Sequence, residues 1–173
     1  MASPPFSSGV FGLVKGADGA RSRSLLKEAT ELYVSEPGHT RSEIAMYEEL
    51  VAQLLKVTAL QDRIRIATLL ADYQEVPASV MRALLHDIFP VSSVMIEKSN
   101  SISEGQLLAL VATASPSHLE MIAARKNLQP AVVEALLGRM RADGLSVLAA
   151  NPSITLSPSA VSLLVENAHG NQR

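Results

Sequence analysis

The chain has 173 residues, of which 47% are hydrophobic and 3% aromatic, and 15 basic against 17 acidic residues leave a formal net charge of −2. A chain of this length and composition is expected to fold as a soluble protein with an aliphatic core. The near balance of charge argues against a global attraction to nucleic acid or acidic membranes. The absence of cysteine excludes disulfides, thiol catalysis and cysteine-based metal sites.

Residues 1–23 differ in composition from the rest of the chain. They hold four of the nine glycines and two of the nine prolines, residue types that interrupt helices. We therefore expect a flexible N-terminal arm. Within it Val10, Phe11, Leu13 and Val14 form an apolar cluster. Phe11 is a candidate contact with a partner or with the protein's own helices.

Three amphipathic helices are predicted between residues 24 and 72, because apolar residues recur there at three- and four-residue spacing. The first begins at Ser24 and ends before the turn formed by residues 36–38. The second begins at Thr40 or Ser42. The third spans residues 60–72 and leads into a region of internal repeats.

A unit of about 26 residues recurs four times in the rest of the chain, and Val76, Ile102, Leu128 and Leu156 mark equivalent points. Apolar residues follow each mark at positions five, eight, nine and twelve, which form one stripe of a helix. Self-similarity at this period is typical of a helical solenoid. The stripe residues are Met81, Leu84, Leu85 and Ile88; Leu107, Leu110, Val111 and Ala114; Val133, Leu136, Leu137 and Met140; and Val161, Leu164, Val165 and Ala168.

The second helix of each repeat is predicted to start just after the residue that follows the mark. Ser103 is a good N-cap and has capping-box spacing to Gln106. Pro130 and Pro158 fall at the first helical position, where proline is tolerated. Pro77 falls at the cap itself, so the helix after it is expected to start one residue later.

The first helices of the repeats are shorter and less regular. Pro90 and the pair Ser115-Pro116 predict the starts of two of them. Asp143 is the predicted cap of a third.

These patterns predict an all-α protein, a right-handed α-solenoid of short HEAT-like helical-hairpin repeats with a period of about 26 residues. The expected organisation is the N-terminal arm, residues 1–23, followed by a single α-solenoid domain, residues 24–173. In that domain the N-terminal helices occupy residues 24–72 and the repeats occupy about residues 60–169.

Four stretches combine the predicted helices with this repeat pattern: LLKEATELYVSE, RIRIATLLADYQEVPASVMRALLHD, HLEMIAARKNLQPAVVEALL and VLAANPSITLSPSAVSLLVENA. From about Leu25 to Ala168, the chain resembles a family of uncharacterised alphaproteobacterial proteins, a domain of unknown function with degenerate HEAT-like or leucine-rich-repeat-variant-like helical repeats. The resemblance implies a helical-repeat scaffold for protein partners and brings no catalytic residues. Members are often longer than this chain, which is then a short member or a fragment.

No catalytic, cofactor-binding or metal-binding residue is predicted. The histidines have no second ligand at metal-binding helical spacing, and no phosphate loop or nucleophile elbow is present. The chain is therefore not expected to be an enzyme or to need a cofactor. The four histidines, for which surface or capping roles are expected, are His39, His86, His118 and His169.

The face of the second helices opposite the stripe carries positions three, six and ten of the repeat. Position six, the candidate partner-binding position, holds Arg82, Leu108, Glu134 and Ser162. This surface has small residues and mixed charge, and is mildly apolar around Leu108. It suits a peptide or a helix of another protein better than a polyanion. The alternative is that these residues are simply exposed and favour solubility.

The first functional hypothesis is a non-enzymatic scaffold or regulatory protein that binds a protein or peptide partner. The alternatives are a nucleic-acid-binding repeat protein and a base-excision-type repeat enzyme, both of which need a basic groove. The balance of charge argues against them. The basic residues of the helical region occur as the small pairs Arg63/Arg65, Arg125/Lys126 and Arg139/Arg141.

A cytoplasmic protein without membrane contact is predicted, because no secretory signal and no run of 18 apolar residues are found. A homodimer is a further expectation. It follows from the repeat pattern, since a terminal repeat without a polar cap exposes its apolar stripe.

Overall fold

The computed structural model describes residues 22–154, 156–158, 161, 162 and 165, and nine helices separated by short turns lie within residues 22–154. Within these residues no strand is present, and the prediction of an all-α protein is confirmed. The longest of these helices have 14 residues, and none is long and apolar enough to cross a membrane. The helices are α1 Ser22–Ser35, α2 Arg41–Leu54, α3 Leu60–Ala71, α4 Ala78–Leu85, α5 Phe89–Lys98, α6 Glu104–Thr113, α7 Pro116–Ala123, α8 Pro130–Leu137 and α9 Ala142–Ala150.

The chain divides into two compact units, with the boundary between Ser101 and Ile102. Unit 1 contains α1–α5 and unit 2 contains α6–α9. A single domain over residues 24–173 stays a prediction. The predicted N-terminal arm lies outside the described residues, apart from its last two residues, which belong to α1.

The start of α2 is set by a capping box between Thr40 and Glu43. The Thr40 hydroxyl accepts a hydrogen bond from the Glu43 backbone N–H at 3.3 Å, and the Glu43 carboxylate accepts from the Thr40 backbone N–H at 2.8 Å. These contacts satisfy two backbone donors that the first helical turn leaves unpaired. The hydrogen bonds from Thr40 also lower the pKa of Glu43. The predicted start at Thr40 or Ser42 is thus refined: Thr40 is the N-cap and the helix begins at Arg41.

The second helices of the first three repeats start where the pattern predicts them. Helices α6 and α8 follow Ser103 and Gln129 directly, and the capping box of Ser103 with Gln106 is confirmed. The later start expected after Pro77 is wrong, since α4 begins at Ala78. An N-cap residue is extended and its N–H makes no bond within the helix, so proline fits there.

Two of the three predicted starts of the first helices are displaced. Helix α7 begins at Pro116 with Ser115 as its N-cap, as predicted. Helix α5 begins one residue before Pro90, which occupies its second position. The assignment of Asp143 as a cap is wrong. Arg141 holds the N-cap of α9, because its carbonyl accepts the first helical hydrogen bond, from the Leu145 N–H at 3.0 Å.

In unit 1 the helices α1, α3 and α5 pack side by side, while α2 packs on α1 and α4, and α4 packs on α5. Two ion pairs join α1 to α3 in parallel register, Lys27–Asp62 at 3.8 Å and Glu31–Arg65 at 3.0 Å. The ion pair Arg63–Asp87 joins the starts of α3 and α5, and Ser101 donates to the Tyr73 carbonyl beyond their ends. The three helices therefore begin at the same end of unit 1.

In unit 2 helix α6 packs on α8 and α7 packs on α9, with further contacts of α7 to α6 and to α8. Arg139, just after α8, donates to the carbonyls of Ala112 and Ala114 at the end of α6. Asn151, just after α9, donates to the carbonyls of Ala123, the last residue of α7, and of Arg125, which follows the helix, both at 2.7 Å. Each of these hydrogen bonds joins residues 25 to 28 positions apart in the chain.

The predicted stripe is buried at every position in the second and third repeats. In the first repeat the prediction that position twelve is buried is wrong, because Ile88 is 49% exposed. Helix α4 has already ended at Leu85, and Ile88 is the N-cap of α5, so it no longer follows the α4 stripe. In the fourth repeat Val161 and Val165 are also about half exposed, so their stripe is not covered as in the others. The side chains of Leu164 and Ala168 lie outside the described residues.

Candidate functional site

The predicted partner-binding residues fall in both units. Arg82 is exposed on α4 in unit 1. In unit 2 Leu108 is half-buried on α6 and Glu134 is exposed on α8. Ser162 is exposed, and its hydroxyl donates to the Pro158 carbonyl at 3.1 Å. Phe11 lies outside the described residues.

Leu108 and Glu134 occupy equivalent positions on two helices that pack together. Around them the neighbouring positions three and ten are also exposed. Both residues are therefore accessible on neighbouring helices of unit 2. The residues at those neighbouring positions are Gly105, Ala112, Ala131 and Gly138.

A second feature of unit 2, which sequence reasoning missed, is a cleft of about 430 Å³. It lies beside the first turns of α7 and α9 and the residues that connect α8 to α9. We call it the unit 2 cleft. Its lining consists of Ala114, Pro116, Leu119, Glu120, Arg139, Met140, Arg141 and Gly144.

Arg139 is held in one orientation at the wall of the cleft. Its guanidinium donates to the Ala112 carbonyl and, at 3.2 Å, to the Ala114 carbonyl. These carbonyls end α6, where a cation is favoured by the helix dipole and by the lack of intrahelical partners. Arg139 thus caps the C-terminal end of α6 and also lines the cleft.

The floor of the cleft is apolar and tightly packed. Leu119 and Met140 are 3% and 8% exposed. A Cβ placed on Gly144 would lie 2.7 Å from the terminal carbon of Met140. Helix α9 therefore approaches Met140 so closely that a residue with a Cβ at position 144 would require the methionine side chain to move.

Opposite charges stand at the rim of the cleft. Glu120 and Arg141 both line it and are exposed. Within the described residues neither side chain takes part in an ion pair. The sequence gives only a weak signal for this site. The pair Arg139/Arg141 is recognisable in the sequence, but the cleft residues of α7 lie some 20 positions away, and no pattern links them to the pair.

The unit 2 cleft presents both apolar and charged groups. Its lining supplies apolar surface, one carboxylate and two guanidinium groups. In the described part of the chain no three His, Asp or Glu side chains are grouped so that they could hold a metal ion. Beside the cleft, Ser115 and His118 share a hydrogen bond of 2.7 Å between Oγ and Nδ1. His118 is the third residue of α7, so this contact has the spacing of a capping box.

Unit 1 holds an aromatic cluster that contains all three tyrosines of the chain. The Tyr33 ring stacks on His39 and Tyr47 with centroids 3.8 and 4.2 Å apart, and meets Tyr73 edge-on at 5.8 Å. The Tyr47 and Thr30 hydroxyls share a hydrogen bond of 2.8 Å. Burial raises the pKa of Tyr33 to about 12, with a smaller contribution from Tyr73. The cluster joins α1, α2 and the turn after α3, so its role is structural.

The comparisons with known proteins concern the second half of the chain. Residues 91–173 match a family described as an uncharacterised protein conserved in bacteria, DUF2336. No curated protein and no solved structure shows significant similarity to the chain. The matched residues contain all of unit 2 and its cleft. Over just under half of its length, the chain is therefore similar to a bacterial domain of unknown function, which supports the coarser part of the predicted resemblance.

Proposed function

We propose that the protein is a non-enzymatic scaffold of HEAT-like helical-hairpin repeats that binds a segment of a protein or peptide partner. The repeat of about 26 residues is supported by the hydrogen bonds of Arg139 and Asn151, which join equivalent helix ends 25 to 28 residues apart. A hairpin that repeats at this interval buries its apolar stripe against the next one. A right-handed solenoid is the corresponding proposal for the architecture.

The observation that carries the proposal is the unit 2 cleft. Its volume of about 430 Å³ lies within the usual range for ligand sites, about 300–1,000 Å³. Leu119 and Met140 offer an apolar floor, while Glu120 and Arg141 offer exposed charges of opposite sign. Such a site fits a short peptide that places an apolar side chain on the floor and polar groups at the rim.

The exposed position-six residues are the second proposed contact surface. In unit 2 Leu108 is half-buried and therefore still accessible, and Glu134 supplies a charge on the neighbouring helix. In unit 1 the same position is Arg82, which is exposed. This variety of side chains favours a protein partner over a repetitive polyanion.

Nucleic-acid binding is the alternative function, and base-excision chemistry is a further one. Three basic residues of unit 1, Lys27, Arg63 and Arg65, are engaged in ion pairs, which speaks against both. In unit 2 Arg139 donates to backbone carbonyls, and burial lowers the pKa of Arg125. Few of these cations are positioned to neutralise phosphates, which is the main source of affinity for nucleic acid.

Affinity capture with charge-reversal variants tests the proposal. The full chain and the variants Arg141→Glu and Lys126→Glu are used as bait, since Lys126 is exposed but does not line the cleft. We expect a protein that is recovered with the wild type and with K126E, and at least tenfold less with R141E. Equal recovery with both variants would contradict a role of the cleft.

The same purified proteins also test the alternative function, nucleic-acid binding. Binding to duplex DNA or RNA of arbitrary sequence, weakening steeply as salt rises, would support the nucleic-acid alternative against the scaffold. The proposal also includes a cytoplasmic location and a homodimer. Cell fractionation and light scattering of the purified chain measure these two properties.

A further inference from the structure

Four large apolar side chains of unit 1 are exposed in the described residues. Val57 is 60% exposed, Leu60 36%, Ile88 49% and Phe89 39%. We call these four residues the apolar patch. Exposed apolar side chains that occur together point to a surface that something else covers.

The members of the apolar patch lie at the same end of two neighbouring helices. Val57 lies in the turn that leads from α2 into α3, and Leu60 is the first residue of α3, while Ile88 is the N-cap of α5 and Phe89 its first residue. Helices α3 and α5 pack side by side. The ion pair between Arg63 and the aspartate that precedes Ile88 holds the two starts together. The patch is therefore a local feature of one end of unit 1.

Helix α1 begins at this end as well. Lys27 pairs with Asp62 and Glu31 pairs with Arg65, so α1 and α3 run in parallel with a constant register. With these offsets Leu60, the first residue of α3, is about level with Leu25 and Leu26, and α1 extends about three residues further to its start at Ser22. The start of α1 therefore lies at the same end of unit 1 as the apolar patch.

The segment that precedes α1 carries apolar residues within reach of the patch. Residues 10–14 contain Val10, Phe11, Leu13 and Val14, and eight peptide steps separate Val14 from Ser22. At about 3.3–3.6 Å per residue these steps span at most about 26–29 Å. Packed helices are about 8–10 Å apart, so the distance from α1 across α3 to α5 is about 20 Å. The segment can thus reach every residue of the patch.

We propose that residues 10–14 fold back onto the apolar patch of their own chain and cover Val57, Leu60, Ile88 and Phe89. A tethered segment has an effective concentration in the millimolar range, far above the concentration of a second copy in dilute solution. Its own segment is therefore the favoured occupant. A partner that binds this end of unit 1 must first displace the segment, which makes residues 10–14 an intramolecular competitor.

Distance measurements between spin labels test this proposal on the full chain. Because the chain has no cysteine, two labelled cysteines can be introduced without removing any other. The first pair is Ser8→Cys with Lys56→Cys, which is beside the patch. The control pair is Ser8→Cys with Lys98→Cys, which is exposed at the other end of α5. We expect a narrow distribution for the first pair, and a mean distance for the control about 15 Å longer, the length of α5.

Two matched phenylalanine variants identify the segment that binds. Phe11→Ser should at least double the width of the distance distribution between positions 8 and 56, whereas Phe6→Ser, outside the cluster, should leave it unchanged. Val57→Ser on the patch should act like F11S. Circular dichroism verifies that all variants keep the helical fold. A broad distribution that is the same in F11S and F6S would overturn the proposal.

Dilution of the labelled chain with unlabelled protein distinguishes the occupants. A short distance that survives dilution supports docking within one chain. A short distance that disappears means that the segment reaches the patch of a second copy, and it overturns the intramolecular proposal. If the docking proposal fails, the proposed role of the unit 2 cleft still stands, because neither the cleft residues nor the affinity-capture test involves the apolar patch.

Discussion

Arg63 at the start of α3 and Asp87 just before α5 form an ion pair whose side chains are only 18% and 6% exposed. The Asp87 carboxylate also accepts a hydrogen bond from the backbone N–H of Ile88 at 2.7 Å. A buried pair of this kind contributes little net stability over an apolar pair, but removing one partner leaves a charge uncompensated. It therefore fixes the relative position of the two helix starts.

The first prediction concerns this ion pair. Asp87→Asn should destabilise the protein by about 3 kcal/mol, the lower end of the range for buried pairs, because Arg63 is partly exposed. The control Glu31→Gln makes the same chemical change in the pair with Arg65, whose side chains are 40% and 62% exposed. That change should cost less than about 1 kcal/mol. Urea unfolding measures both, and equal losses would contradict the structural role of Asp87.

The second prediction concerns alkaline pH. The pKa of Tyr33 is raised to about 12 in the folded protein, while an unfolded tyrosine titrates near pH 10. Below pH 10 the tyrosine is neutral in both states and its contribution is fully present. Between about pH 10 and 12 the unfolded state loses the proton first, so stability should fall by about 1–2 kcal/mol, less than the full shift because solvent screens part of the interaction.

Urea unfolding at a series of pH values from 8 to 12 measures this loss, and tyrosinate absorbance follows the titration itself. Burial also raises the pKa of Tyr47 and Tyr73, so the three tyrosines act in the same direction. Tyr33→Phe should make the decline shallower without abolishing it. A variant with an unchanged pH profile would argue against the assignment to Tyr33.

The third prediction concerns Asn151. Its amide donates to the carbonyls of Ala123 and Arg125, both at 2.7 Å, and thereby satisfies the end of α7. Asn151→Ala should cost about 1–3 kcal/mol, because these acceptors lose their partner. Asn100→Ala is the matched control at an exposed position and should change stability by less than about 0.5 kcal/mol. Thermal or urea unfolding compares the two, and an equal effect would refute the capping role.

The fourth prediction concerns two glycines of unit 2. Gly105 lies in α6 with nothing within 4 Å of an added Cβ, so Gly105→Ala should stabilise the protein by about 0.5 kcal/mol. In Gly144→Ala the new methyl group must displace the end of the Met140 side chain, 2.7 Å away. We expect this displacement to cancel the gain in helix propensity or exceed it.

The same glycine pair also tests the unit 2 cleft. Gly144 lines the cleft and Gly105 does not. Partner recovery in affinity capture should therefore fall for G144A and remain unchanged for G105A. If both variants stabilise the protein and bind equally, α9 does not approach Met140 as closely as described.

Much of the helical organisation was predictable because it depends on local signals. Ser103 and Gln106 form the expected capping box, and Pro116 and Pro130 begin helices as expected. The stripe was predicted too narrowly, because position four is also buried where it holds Val80 and Val132. At about 100° per residue this position lies roughly 40° beyond position eight, so the buried arc is wider than the four-position pattern indicated.

The candidate site was less predictable than the helices. Position six was expected to be exposed: Arg82, Glu134 and Ser162 are exposed, whereas Leu108 is half-buried. The unit 2 cleft was missed because its walls come from residues some 20 positions apart, Glu120 on one side and Arg141 on the other. Spacing within one helix carries no information about such a pair.

Sequence alone determined which segments are helical and which face of each helix is apolar, because propensity, caps and periodicity act within a few residues. Only the tertiary structure decided which helices pack together and which charges are paired. Arg63 and Arg65 look alike in the chain, yet one is buried against Asp87 and the other stays at the surface with Glu31. The physical reason is that burial and ion pairing depend on side chains that come together from helices far apart in the sequence. A local sequence pattern does not show which of these side chains meet.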